Sequence, residues 1–407
     1  MADLLSDRLP LFPFAAAGAD PFTPVGAADR RRLDGPVTRV RLPTGGWSWL
    51  VTRHEDVKQL LRSDAFSADM YRPGFPLLRP PPAATPQDRL GSFIRMDGEQ
   101  HRRLRRMLTA EFMIRNVRRI EPLIATTVAD ALDTLTAQQQ PADLVTHLAL
   151  PVPALVICHL LGVPYAEHAF FQQLSSTLLD RGAPPAAVRA AGSALRSYLG
   201  HLIEDKRTSG APGDDLLGRL VSDRVRTGEL EIGELIGMAV LLLVAGHETT
   251  ANMIGLSVAL LQHHPQVWQR LGAGGIDADA VVEELLRYLS IVRTGLPRQA
   301  IRDTQVGGRR IRAGDPVIAL LSLANRDPEV FAEPDTFDPY RAAHQQLAFG
   351  FGVHQCIGQP LARAELRLTL SALARRLPGL RVATEVAALP TRDMSIVYGL
   401  AALPVTW

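Results

Sequence analysis

Ten residues near the C-terminus, Phe349-Gly350-Phe351-Gly352-Val353-His354-Gln355-Cys356-Ile357-Gly358, set a cysteine among glycines. The thiolate of cysteine is a strong metal ligand, but a free thiol has a pKa of about 8.5 and stays mostly protonated at neutral pH. Glycine accepts positive φ and lets backbone approach a flat ligand closely. Backbone N–H groups in such a loop can point at the sulfur. Pro360 predicts a helix start just beyond, whose positive end would face the same sulfur. These surroundings suit a buried, metal-bound thiolate. On the residues alone a glycine-rich turn with a packing cysteine stays open, since free cysteines usually pack. Cys158, inside Ala154-Leu155-Val156-Ile157-Cys158-His159-Leu160, has no glycine beside it and reads as core.

A second set lies at Ala245-Gly246-His247-Glu248-Thr249-Thr250, inside the longest apolar stretch. Small residues at 245 and 246 would leave room beside a helix for a ligand. An acid followed by an alcohol would place a proton relay in a dry site. A core helix whose threonine bonds back to the preceding turn explains the same residues. His101 and Arg105 are four apart, on one helical face. Glu284 and Arg287 are three apart, a spacing that suits an ion pair on one helix. Two other motifs fail by one residue. A dinucleotide fingerprint from Gly350 would need glycine where Gln355 stands, and a zinc-protease motif from His247 would need histidine where Ala251 stands.

These residues need elements to hold them. The chain has 407 residues, 46% hydrophobic and 21% charged, with net charge +2. Nothing in that balance points to nucleic acid or a lipid surface. The two cysteines make no disulfide framework, and a cytoplasmic location without membrane anchor or secretion signal is expected. The most apolar run, Leu235 to Gly246, is too short to span a bilayer. Helical patterns cover His54–Arg62, Glu99–Phe112, Arg119–Leu135, Ala186–Arg207, Ile232–His264, Ala278–Leu289 and Leu361–Arg376. Leu144–Leu161 is apolar but broken by Pro151 and Pro153, and Pro265 opens a further helix. Ser209-Gly210-Ala211-Pro212 reads as a turn. Strands are expected over Val37–Val51 with a turn at Gly45-Gly46, over 299–322 with a turn at Gly307-Gly308, and over 379–406. Pro76 to Pro86 reads as a stiff polyproline-like loop. The pattern is mainly α with small β-sheets.

The cysteine segment resembles the haem-binding loop of the cytochrome P-450 superfamily, Phe-Gly-x-Gly-x-His-x-Cys-x-Gly, at all six fixed positions. A chance match is on the order of one in a hundred thousand for equally frequent residues. Ala245 to Thr249 resemble the superfamily's oxygen-binding motif. Met96, Asp97, His101 and Arg105 resemble its Met-Asp-x-x-x-His-x-x-x-Arg segment. Glu284, Arg287 and Arg341 resemble its structural triad, and 325–341 its meander. Gln346 stands where many soluble bacterial members have histidine. The likeness runs from about residue 35 to the end, and looks closest to soluble actinobacterial members that tailor secondary metabolites or oxidise xenobiotics.

The resemblance implies one domain over 1–407 with the P-450 fold, a triangular prism with haem b between the long central helix and the cysteine-loop helix. The small β-rich region would come mainly from about 35–55, 296–322 and 379–406. It implies Cys356 as iron ligand, with Phe349, Gly350, Gly352, Gly358 and Ala245 against the haem. His101, Arg105, Arg298 and His354 would hold the propionates. Glu248 and Thr249 would deliver protons. Leu242, Leu243, Ala245, Gly246, Val292 and Ile396 would face the substrate, along with the loop 71–93. The implied activity is a monooxygenase that uses O2 and electrons from a ferredoxin and its reductase, acting on a lipophilic small molecule by hydroxylation or epoxidation, as a monomer. Arg102, Arg103, Arg106, Arg363 and Arg367 would offer a basic docking face. A peroxide-driven haem enzyme and a degenerate haem-binding protein are the alternatives.

Overall fold

A computed structural model describes residues 9–14, 20–23, 33–80, 85–209 and 213–407. Residues 81–84 of the expected polyproline loop, 210–212 of the expected turn, and 15–17 of the apolar N-terminal run lie outside them. Ten helices of eight residues or more are present among the described residues: α1 His54–Arg62, α2 Gly98–Thr109, α3 Ile114–Thr136, α4 Pro151–Leu161, α5 His168–Leu179, α6 Pro185–Thr208, α7 Ile232–Leu261, α8 Pro265–Gly272, α9 Ala278–Leu289 and α10 Gln359–Arg376. Ten short strands accompany them: β1 Val37–Arg41, β2 Trp47–Val51, β3 Phe66–Ser67, β4 Ala142–Asp143, β5 Leu296–Ala300, β6 Thr304–Val306, β7 Arg309–Ile311, β8 Pro316–Ala319, β9 Arg381–Val382 and β10 Pro404–Thr406. The main sheet has the order β1-β2-β8-β5-β3, with β2 and β8 parallel and the other pairs antiparallel. The mainly helical reading with small sheets is what the chain folds into.

The largest core joins α3, α4, α6, α7, α9 and α10, while a smaller one sits under the main sheet. Helix α7 is the axle, packing against α4, α6 and α10. It is apolar all round, as a fully buried helix should be. By length and composition it could cross a membrane, which the shorter stretch 235–246 does not suggest. Yet every residue in it except Ala245 is buried or half-buried.

Several boundaries differ from the sequence reading. Helix α3 begins five residues before Arg119 and carries Pro122 inside it. The stretch before α4 is a π-helical turn at Val145–Ala149, and Pro151 starts α4, where a missing N–H costs nothing. Helix α5 has no counterpart in the sequence reading. Of 379–406, β9 and β10 alone are strands of two residues or more; between them the chain makes turns and an isolated bridge from Thr391 to Leu400. Pro390 and Pro404 lack the N–H that a longer ladder needs.

Behind the cysteine loop sits an ion pair with no solvent contact. Glu284 and Arg287 are both 0% exposed. Arg287 donates twice to Glu284, each at 2.7 Å, and also to the carbonyls of Asn325, Pro334 and Thr336. Arg341 Nε and the N–H of Asp338 complete the shell of Glu284, at 3.2 and 2.9 Å. Every strong donor has an acceptor, so the burial cost of both charges is offset. The network ties α9 to the whole irregular segment 325–341. Removing one partner leaves the other charged and alone. Arg287→Ala should therefore cost about 3–5 kcal/mol of stability, seen as a large drop in the thermal midpoint or a failure to fold. A midpoint within a degree or two of the parent would show that the network carries no stability.

Candidate active site

The loop before α10 is shaped by two glycines in the left-handed region, Gly350 at φ +70° and Gly352 at φ +73°. A Cβ on Gly352 would lie 2.5 Å from the carbonyl oxygen of Leu61, so this glycine seats the loop on the end of α1 and not on a ligand. The N–H of Cys356 donates to Phe349 O at 2.9 Å and closes the loop. Gln346 fills the place where histidine was expected: its Nε2 donates to Glu283 Oε2 at 3.1 Å and its Oε1 accepts from Ala348 N–H at 2.6 Å. Arg363 of α10 donates to Glu283 and covers the Phe349 ring at 4.6 Å. Asn325 Oδ1 accepts from Leu347 N–H at 2.6 Å. The loop is thus clamped from three sides.

The sulfur of Cys356 receives the backbone N–H groups of Gly358 and Gln359, and Arg105 and Arg363 lie close enough to favour the thiolate. Burial is the larger effect and pushes the thiol up. The residue nonetheless has exposed surface, unlike Cys158, which is sealed in the core. Accessible surface thus remains at Cys356 beside these donors, where a ligand could reach it. Ala245, the single exposed residue of α7, is the corresponding feature on the helix that packs against α10.

Basic and aromatic donors gather at the rim. The His101 and His354 rings lie 4.1 Å apart. Burial, then the neighbouring His354 and Arg105, push His101 down to about 4, and its Nε2 is buried without a partner. Burial also holds His354 below the usual histidine value. Arg298 on β5 is 8% exposed, and burial lowers it to about 10, still charged at neutral pH. Its one hydrogen bond is to the adjacent Pro297 O at 2.8 Å. Arg105 donates to Gln355 O. Burial pushes Asp97 up, but His354, whose Nε2 lies 3.9 Å away, and the bonds from Ala68 N–H and Ser67 outweigh it and bring it to about 2. The rim therefore holds two arginines without a carboxylate partner of their own and an unsatisfied imidazole. That donor set fits a group carrying two carboxylates above a metal bound to sulfur, which is what haem b presents.

On α7, Thr249 Oγ1 donates back to Ala245 O at 2.8 Å. Glu248 is 3% exposed and accepts from Arg392 Nη1 at 2.9 Å. Sequence reading did not find Arg392, 144 residues away with no local motif. It also missed Glu365 on α10, which burial raises to about 8 against a hydrogen bond to Thr250. Two expected substrate contacts lie elsewhere. A Cβ on Gly246 would be 2.8 Å from Ile157, so its smallness admits α4 and not a ligand. Leu243 is 1% exposed and lines a small gap with Ile157, Cys158 and Phe171 on that same side. Leu242 is buried, whereas Val292 and Ile396 are half-buried. The expected basic docking face is mostly paired: Arg102 with Glu99, Arg103 with Glu234, Arg363 with Glu283, Arg367 with Glu121 and Asp279.

Comparison with known proteins supplies the context. The family model for Cytochrome P450 matches residues 30–273 and 278–378. Cytochrome P450-SU2 of Streptomyces griseolus is 46% identical over 97% of this chain and 96% of its own length. Vitamin D3 dihydroxylase of the same organism is 43% identical over 94% of each chain. The crystal structure of the mycinamicin VIII C21 methyl hydroxylase of Micromonospora griseorubida, bound to mycinamicin VIII, superposes with a TM-score of 0.89 at 39% identity, covering 98% of this chain and 100% of that one.

The packing of Gly246 is directly testable. Gly246→Val forces side-chain atoms into Ile157 and should destabilise the protein by about 1–3 kcal/mol. Adding Ile157→Ala should recover part of that loss in thermal unfolding. A double variant no more stable than Gly246→Val alone would show that the two positions are not in contact.

Proposed function

The chain belongs to the cytochrome P450 family, haem-thiolate monooxygenases with haem b as cofactor, and from that premise we propose that it inserts oxygen from O2 into a lipophilic secondary metabolite or xenobiotic, with Cys356 as the residue that would hold the haem iron. One observation carries this reading. An accessible cysteine receives two backbone N–H groups at its sulfur at the start of α10, near Arg105 and Arg298, which have no carboxylate partner among the described residues, and near His101, whose Nε2 is unbonded.

When bound, haem supplies the oxygen activation and the oxygen-atom insertion. The chain's own residues do the rest. Gly358 and Gln359 N–H groups and the charge of Arg105 favour the thiolate form of Cys356, the form that would donate electrons to the haem iron. Arg105 and Arg298 would hold the two carboxylates of the haem by charge, and His101 and His354 would offer ring N–H donors. Ala245 leaves space beside α7. The Thr249 hydroxyl gives up its bond to Ala245 O and holds a proton at Oγ1, and the Glu248 carboxylate accepts and passes protons to it. The apolar face around Leu242, Val292 and Ile396 orients a lipophilic substrate and excludes water.

Relatives support the substrate class. They include a vitamin D3 dihydroxylase, a pentalenic acid synthase and a mycinamicin VIII C21 methyl hydroxylase. The electrons come from a ferredoxin and its reductase, as in bacterial members of this kind, and the acid–alcohol pair favours O2 over peroxide as oxidant. The working form is a cytoplasmic monomer.

Two measurements test the reading. Reduced protein exposed to carbon monoxide should show the strongly red-shifted Soret band of thiolate ligation, lost in Cys356→Ala and kept in Cys158→Ala. An unshifted band in the parent, or its loss in Cys158→Ala, would refute the assignment of Cys356. With vitamin D3 or mycinamicin VIII as substrate, whichever gives the larger spin-state shift, Thr249→Val should lower product formation by on the order of 10²-fold. The electrons should then appear as peroxide. Unchanged coupling would remove Thr249 from the relay.

A further inference from the structure

Glu248 is held from outside its own helix. Its carboxylate is 3% exposed and accepts from Arg392 Nη1 at 2.9 Å, while the Arg392 side chain keeps 23% exposure. A third group stands close. His247 Nε2 lies 3.9 Å from Glu248 Oε1 and makes no hydrogen bond, while its Nδ1 bonds to Leu243 O at 2.7 Å. Burial, the largest effect, keeps this imidazole below the usual histidine value. Arg392 is therefore the one full cation bonded to Glu248 in the described residues.

Arg392 itself is fixed by a short hairpin. Its N–H donates to Gly399 O at 2.9 Å, beside the bridge from Thr391 to Leu400. A Cβ on Gly399 would be 1.9 Å from Asn252 Oδ1, so the base of the hairpin lies directly on α7 one turn after Glu248. Its other end is bonded to the chain after α5. Ser395 bridges Asp180, Ile396 N–H donates to Leu179 O at 2.9 Å, and Arg181 N–H donates to Met394 O at 2.8 Å. Arg79, from the loop before α2, donates to Leu178 O and Asp180 O at the same place. One hairpin thus links the end of α5 to the acid on α7.

We propose that Arg392 is a positioning residue for oxygen activation: it holds the Glu248 carboxylate in the place from which protons are passed to Thr249, and its one partly solvent-exposed end connects that carboxylate to bulk water. The inference rests on the reading of the site as a P450 centre and adds a residue to it. A bidentate-capable guanidinium fixes a carboxylate in direction as well as charge. Lysine keeps the charge and loses the fork. A purely structural arginine would affect stability and substrate binding, not the fate of the electrons.

The test uses the holoenzyme with Arg392→Gln, Arg392→Lys, Glu248→Gln and the double variant. The carbon monoxide spectrum of each should match the parent; absence of the red-shifted band in the parent itself would sink the thiolate assignment and this inference with it, whereas a parent that keeps the band isolates the effect of the variants. With vitamin D3 as probe, Arg392→Gln should lower kcat on the order of tenfold while the spin-shift Kd stays within about twofold. Peroxide released per NADH should rise. Arg392→Lys should recover part of the coupling, and the double variant should be no worse than Glu248→Gln, since both act through one carboxylate. Crystal structures of the parent and Arg392→Gln should show Glu248 turned from its position in the variant, a result that needs no substrate. Glu248 unmoved in that structure, losses that add in the double variant, or a change confined to Kd would each overturn the proposal.

Discussion

A negatively charged sulfur in a protein interior is costly, and much of this fold can be read as the answer to that cost. Burial alone drives the Cys356 thiol toward its protonated form. Two backbone N–H groups, the start of α10 and the guanidinium of Arg105 oppose it without cancelling it. A metal bound to the sulfur would supply the remainder, since a coordinating thiol is deprotonated outright. The opposing donors work only if the loop keeps its shape, which takes two positive-φ glycines and a rigid frame. The frame is polar and remote. Gln346 reaches Glu283, Glu283 reaches Arg363, and Asn325 pins Leu347. Asn325 in turn gives its carbonyl to Arg287 of the buried triad. A perturbation at Glu284 thus has a path of direct bonds to the cysteine loop.

What the sequence disclosed followed from whether a feature is local. The cysteine loop, the Ala245–Thr249 stretch and the pair Glu284 and Arg287 are contiguous or one helical turn apart, so their spacing alone suggests their geometry. Helix α7 showed itself by length and apolarity, and Ala278–Leu289 matched to the residue because Asp277 caps it and Ser290 ends it in a left-handed turn. Arg392 and Glu365 could not be found this way. Each meets its partner across more than a hundred residues, and neither stands in a pattern of its own. The extended stretch expected over 379–406 is reduced to β9, β10 and isolated bridges for a related reason. Alternation marks which side chains could pair, but the prolines decide which backbone groups can.

Small residues gave the most instructive error. Ala245 and Gly246 are adjacent and equally small, so a linear reading gives both to the ligand. On a helix they point about 100° apart. Ala245 is exposed, and Gly246 faces Ile157 at a distance that no Cβ could occupy. The same turn of helix carries Leu243 with Gly246 toward α4. One face of α7 is therefore shaped by packing and the other by the site, and only the partner helix tells them apart. Gly352 repeats the lesson: its smallness serves the carbonyl of Leu61.

The arrangement at Glu248 shows why distance in sequence carries information of its own. A carboxylate needed for proton transfer cannot be locked to a residue of its own helix turn without losing freedom to move relative to Thr249. Nor can it stay buried without any partner, because an unpaired charge in the core costs several kcal/mol or more. A partner on a separate, partly exposed hairpin meets both demands. The bond is strong while the hairpin sits on α7, yet its geometry is set by an element that also touches the end of α5 and the half-buried Ile396. The residues that would contact a substrate and the residue that holds the acid then belong to one piece of backbone.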